Sequence, residues 1–206
     1  MRLHLVRHGA PAVDPTSPAS TWPLDPSGFV EIDSLLAAGV LPANDAVWFS
    51  STEPKAVQTA ARLTSRRVPA LDELREANRP ADWLDAETFA AAVATSLERP
   101  AEVVRDGWET SDSVRARVFG ALRGAVARHA ASEGAVDAVL VGHGTAWTVL
   151  VAALTRTPAD IAAWRGLYMP DHCVLDLGLE QDDAWSTPRP AAGRVARPWG
   201  SWRSLS

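Results

Sequence analysis

The sequence predicts an α/β fold: a three-layer α/β/α sandwich with a mostly parallel central sheet and a small inserted cap. Three observations carry this. Short apolar runs alternate with stretches of helical spacing, the pattern of parallel strands covered on both faces. Two of those runs lead straight into histidine and glycine, Arg7-His8-Gly9 and Gly142-His143-Gly144, at the strand ends where open α/β sheets place their ligands. A chain of 206 residues, 47% hydrophobic and 22% charged, suits one domain with a sizeable core.

Taken in order, Leu3, His4, Leu5 and Val6 read as a buried strand stopped by Gly9. Residues 10–26, rich in proline, serine and threonine, form a loop. Phe29, Ile32, Leu35 and Leu36 have the spacing of a helix face, which Gly39 ends. Asp45 to Ser50 holds a second strand. Ser50, Ser51 and Thr52 are helix-capping types, and Glu53 and Pro54 occupy first-turn positions of a helix over 54–65. Val68 to Leu71 is a third strand candidate. Residues 77–108 are less regular, with a helical piece over 87–97, and read as an insertion over one end of the sheet; Trp83 and Trp108 either wall a pocket or pack in the core. Ser111 or Asp112 caps a long helix to about Ser132. The strand Ala138–Val141, a helix over 145–154, a short helix over 158–165 and a last strand over 173–177 follow. The domain spans 1–180, and 181–206 reads as a loosely ordered tail that packs back on the body.

Composition narrows the partners. The formal net charge is −5, with no basic run to contact nucleic acid. No segment has the length of a signal peptide's apolar core or of a membrane span. Cys173 is the sole cysteine, and no Cys/His cluster has zinc spacing, so a reducing cytoplasm and no metal or other cofactor are expected. Oligomeric state is left open.

In a parallel sheet, His8 and His143 emerge at one edge. Arg7, Lys55 and the N–H groups of the helix start at Gly144 would give that cleft a donor-rich, positive floor suited to phosphate. A neutral imidazole attacks phosphorus, a second one, if protonated, steadies the phosphoryl oxygens, and a carboxylic acid, Glu76 or Glu73, supplies the leaving group with a proton.

These residues resemble the histidine phosphatase superfamily, the phosphoglycerate mutase-like clan. Arg7-His8-Gly9 is similar to its nucleophile motif, Ser50–Ala60 to its second motif, Leu74-Arg75-Glu76 to the segment bearing the acid, and Gly142-His143-Gly144 to the second histidine. Glu109 to Val118 is similar to the family's glutamate followed by a later arginine–valine pair, here Arg117-Val118. The resemblance spans residues 1 to about 150. It implies that His8 is phosphorylated, that Arg7 and Lys55 clamp the phosphate beside Gly144, that His143 stabilises the transferring group and that Glu76 donates the proton, with Glu73 in reserve. His4, His129 and His172 match no motif and are assigned to structure or surface.

The chain departs from the pattern in three places. Lys55, its only lysine, stands where the family has arginine, which exchanges a planar fork for a point charge. Ala10-Pro11-Ala12 lacks the polar residues of the mutase branch, so a glycolytic mutase is not expected. Ala77-Asn78-Arg79-Pro80 replaces the pattern usual after the acid, and Arg79 becomes either a further anion contact or an exposed salt-bridging residue. The expected activity is metal-independent hydrolysis of a small phosphorylated metabolite through phosphohistidine. The competing reading is a non-catalytic phospho-ligand binding module, with a protein phosphohistidine phosphatase third.

Overall fold

The computed structural model describes residues 1–42, 46–80, 83–130, 137–180 and 189–204, the side chains of 126–130, 179, 180 and 189 excepted. In chain order the elements are β1 (Arg2–Arg7), α1 (Phe29–Ala37), β2 (Ala46–Ser51), α2 (Pro54–Leu63), β3 (Ala70–Leu71), α3 (Ala86–Glu98), α4 (Ser111–Ala130), β4 (Asp137–Gly142), α5 (Gly144–Thr155), α6 (Ile161–Arg165), β5 (Asp171–Glu180) and β6 (Arg189–Arg197). They form a six-stranded sheet of order β3-β2-β4-β1-β5-β6. The β3-β2-β4-β1 part is parallel, and β5 and β6 close one side antiparallel.

The alternation of side chains along the strands makes the three layers. Leu3 and Leu5 of β1, Phe49 of β2, Leu140 of β4 and Leu175 of β5 pack with Val118 and Leu122 of α4 and with Trp147 and Leu150 of α5. Their sequence neighbours Val6, Trp48, Val139 and Val141 face the other way, against Ile32 and Leu35 of α1 and Ala60 and Leu63 of α2. Each aliphatic side chain removed from water in this way contributes about 1.5–3 kcal/mol. Strands apolar on both faces are what a doubly covered sheet requires.

Several bounds differ from the sequence expectation for local reasons. β3 shrinks to two residues because Pro69 has no N–H for the ladder, although its carbonyl still accepts from Ser50 N at 3.0 Å. α6 begins at Ile161 because Asp160 caps it, its side chain accepting from Ala163 N. Residues 189–204, expected within the tail, instead form β6 and a 3-10 turn over Ser201–Ser204 that buries Trp202. An edge strand tolerates Pro190 and Gly193, and register shifts in the β5–β6 pair accommodate them. Ser132, Asp45 and the side chains of Val126 and His129 lie outside the described residues. No helix among the described residues is long and apolar enough to cross a membrane.

Candidate active site

The site follows from the sheet register. Arg7 on β1 lies level with Gly142 on β4, and His8 N donates to Gly142 O at 2.9 Å, so the residue after each strand end is a histidine and the two stand side by side. Their ring centroids are 5.1 Å apart in an edge-to-face arrangement. β2 runs parallel on the other side of β4, which brings Ser51 Oγ within 2.8 Å of His143 Nε2.

The tautomer of His8 is set by its partner. His8 Nδ1 lies 2.6 Å from Gly9 O; a carbonyl only accepts, so Nδ1 carries the proton and Nε2 keeps its lone pair. His143 Nδ1 is buried with no partner among the described residues. Burial pushes both pKa values well below the ordinary histidine value; His143 and Arg7 add to this at His8, and Lys55 and Arg7 add to it at His143. Both rings are therefore neutral at pH 7.

The charged groups around them are individually anchored. Arg7 Nη1 donates to Leu167 O at 2.8 Å and Tyr168 O at 3.3 Å, while its Nε faces Gly144, where a Cβ would come within 3.4 Å of it. Lys55 is buried, its Nζ held between Glu53 Oε2 at 2.5 Å and Ala19 O at 2.6 Å. Glu76 caps α5: Oε2 accepts from Thr145 N at 3.1 Å, and Oε1 from Ala146 N at 3.1 Å and from Ala77 N at 2.8 Å. Burial alone would raise its pKa, but Arg79 and these three N–H groups outweigh burial and hold it below the ordinary value. Two helix-start N–H groups expected to meet phosphate are thus taken by Glu76. Glu73 is exposed, and of its groups the backbone carbonyl is tied in, accepting from Arg117.

Residues the motif reading left aside complete the arrangement. Glu53, expected only as a first-turn residue, turns its carboxylate into the site. Arg79 is not an exposed salt-bridging residue: it donates to Thr145 Oγ1 at 3.0 Å, with its guanidinium 4.9 Å from the Trp108 ring and 5.2 Å from the Phe89 ring. Trp108 is a core residue that doubles as this platform, whereas Trp83 is exposed and meets Trp22 at 6.3 Å. Arg117 pairs with both oxygens of Glu109 at 2.8 Å and donates to the carbonyls of Glu73, Arg75 and Glu76 at 2.7–2.9 Å, so α4 fixes the segment that carries Glu76. Replacing this fork by the single ammonium of Arg117→Lys is expected to cost about 1–3 kcal/mol in thermal unfolding. The same variant should lower kcat more than it raises KM, because it loosens Glu76 and leaves Arg7 and Lys55 untouched.

A family model described as the histidine phosphatase superfamily (branch 1) matches residues 3–187. The chain belongs to that superfamily. Solved structures of the same fold include the native structure of mycobacterial glucosyl-3-phosphoglycerate phosphatase, with 23% identity, a TM-score of 0.70 and coverage of 95% of this chain and 97% of that one. The same mycobacterial enzyme in complex with inorganic phosphate gives 24% identity, a TM-score of 0.69 and 98% coverage of each chain. Bacillus stearothermophilus YhfR gives 21% identity, a TM-score of 0.65 and 95% coverage of each. Comparison with curated proteins gives no match. Among the described residues no group of three or more His, Cys, Asp and Glu side chains is placed to hold a metal ion.

Proposed function

We propose that this histidine phosphatase hydrolyses small phosphomonoesters, without a metal, through a phosphohistidine on His8. The observation that carries the reading is the His8 tautomer: its Nδ1–H is committed to Gly9 O, so the free Nε2 lone pair is left as the nucleophile beside His143. In the first step Nε2 forms the N–P bond as the ester P–O bond breaks, and the leaving oxygen takes a proton from Glu76. In the second, water attacks phosphorus, its proton passes to Glu76, and the N–P bond breaks to release phosphate. Arg7 and Lys55 hold the phosphoryl oxygens with Gly144 leaving room beside Arg7, and the His143 Nδ1–H donates to the transferring group.

The lowered pKa of Glu76 sets the expected pH dependence. A carboxyl held below its ordinary value carries a proton only in acid solution, so the first step should speed up as pH falls toward the mildly acidic range. The test is hydrolysis of p-nitrophenyl phosphate with and without EDTA, together with capture of an acid-labile phosphoenzyme. Sensitivity to EDTA, or turnover with no trapped phosphoenzyme, would overturn the scheme. The likeness to a glucosyl-3-phosphoglycerate phosphatase makes phosphorylated sugars and sugar acids the first panel to screen. A cytoplasmic metabolite fits a chain whose one cysteine is buried and unpaired.

The ammonium of Lys55 is already engaged by Glu53 and Ala19, which is the observation that favours the second reading, a phospho-ligand binding module without turnover. Lys55→Arg separates the two. A guanidinium overfills a space closed by two oxygens 2.5 and 2.6 Å from Nζ, and overpacking of about 1–3 kcal/mol predicts a loss in kcat/KM of about 10- to 100-fold. A comparable gain would identify a degenerate site.

A further inference from the structure

Glu53 is an anion built into a site for anions. It is the N-cap residue of α2 but makes no side-chain cap hydrogen bond. Its carboxylate is 7% exposed, with Oε2 2.5 Å from Lys55 Nζ and Oε1 accepting from Glu76 N at 2.8 Å and lying 3.5 Å from His143 Nε2. The charged and titratable groups facing it are Lys55 from α2, His143 from the end of β4, and Glu76 and Arg79 from the segment after β3; Arg7 and His8 complete the cleft from β1. With both histidines neutral, the cations Arg7, Lys55 and Arg79 face the carboxylates Glu53 and Glu76, with Asp171 acting on Arg7 as well, so the free site holds little net charge.

A bound dianion would leave these buried side chains with an excess of negative charge, and it would compete with Glu53 for the one ammonium that neutralises it. Glu76 keeps its charge under the same challenge because three backbone N–H groups and Arg79 hold it. Glu53 has a single backbone N–H, that of Glu76, in reserve. A buried carboxylate that loses its counter-ion takes up a proton, and burial already raises the proton affinity of Glu53 against the pull of Lys55.

We propose that Glu53 sets the charge of the phosphate site by taking up one proton when a tetrahedral dianion binds. This rests on reading the cleft as a phosphate site. It makes Glu53 a positioning residue, acting on substrate through Lys55.

Sulfate, which stays dianionic between pH 5.5 and 8, is the probe, because phosphate titrates in that range itself. Calorimetric titration of the wild-type protein in two buffers of different ionisation enthalpy is expected to show about one proton taken up per sulfate bound near neutral pH. The affinity should fall by up to about tenfold per pH unit as the solution becomes more alkaline. In Glu53→Gln, with folding checked by thermal melting, uptake should vanish and the affinity should become flat with pH. Sulfate binding without proton uptake in the wild type, uptake that survives in Glu53→Gln but disappears in His143→Asn, or no sulfate binding at any pH would each overturn the proposal. The wild-type measurement needs no variant, so a misfolded Glu53→Gln does not protect the idea. The phosphatase reading is judged separately by the trapped phosphoenzyme: turnover with proton-free sulfate binding defeats this proposal alone, and coupled sulfate binding without turnover defeats the phosphatase reading alone.

Discussion

His8→Ala is expected to lower the turnover of p-nitrophenyl phosphate by about 10⁴-fold or more, since no other side chain offers phosphorus a free lone pair at that position. The fold should survive. The hydrogen bond lost runs to the next residue's own carbonyl, and the space opened lies where a phosphoryl group would sit. Circular dichroism and a thermal melt matched to wild type would establish this, and phosphoenzyme trapping should then give no labelled protein. The proposed nucleophile should also be insensitive to mild acid. A histidine whose pKa is held well below 6.5 stays neutral, and able to attack, as the pH falls from neutral toward 6. An acid-side rise in kcat/KM is therefore expected in the wild type, and a His8→Ala enzyme within tenfold of wild type would remove His8 from the scheme.

The largest effect on stability is expected at Trp147. The side chain is fully buried, its Nε1–H donates to Val6 O at 2.9 Å, and it packs so closely on β4 that a Cβ at Gly142 would lie 2.5 Å from its ring. It therefore ties the first turn of α5, which carries Thr145 and Ala146 to Glu76, to the ends of β1 and β4. Trp147→Ala should cost about 3–5 kcal/mol through the cavity it leaves and the carbonyl it strands. For a chain of this size each kcal/mol corresponds to about 2–4 °C in Tm. A loss of less than about 1 kcal/mol would show that the ring is not the tie described here. Activity at low temperature should fall as well, because the capped helix start moves relative to both histidines.

Much of this arrangement was legible in the sequence because strand ends announce themselves. Arg7-His8-Gly9 and Gly142-His143-Gly144 each follow an apolar run, and parallel pairing carries them to one edge without further information. Lys55 was legible as a cation near a helix start, and Glu76 as a carboxyl close to the cleft. Glu53 was not, because an acidic residue before a proline at a helix start has an ordinary explanation in capping, and only the fold shows its carboxylate turned inward against Lys55. Arg117 was visible as part of a pattern but without a reason; the reason is three carbonyls from another part of the chain, which no local spacing encodes. β6 was hidden for a different cause. Proline, glycine and arginine are poor strand formers on average, yet an edge strand needs only one of its sides to pair.

The level pairing of Arg7 with Gly142 also bears on how the molecule assembles. The two imidazoles come from near the first residues and from the last third of the chain, so they meet only after a long loop has closed and β4 has been zipped between β1 and β2. Such non-local closure is slow, and its entropic penalty is offset only when the central strands are all in place. A nascent or partly unfolded chain holds one histidine or the other, never the facing pair. The chemistry is accordingly a cooperative property of the finished sheet, switched on by the last stage of folding and lost in the same event that unravels its centre.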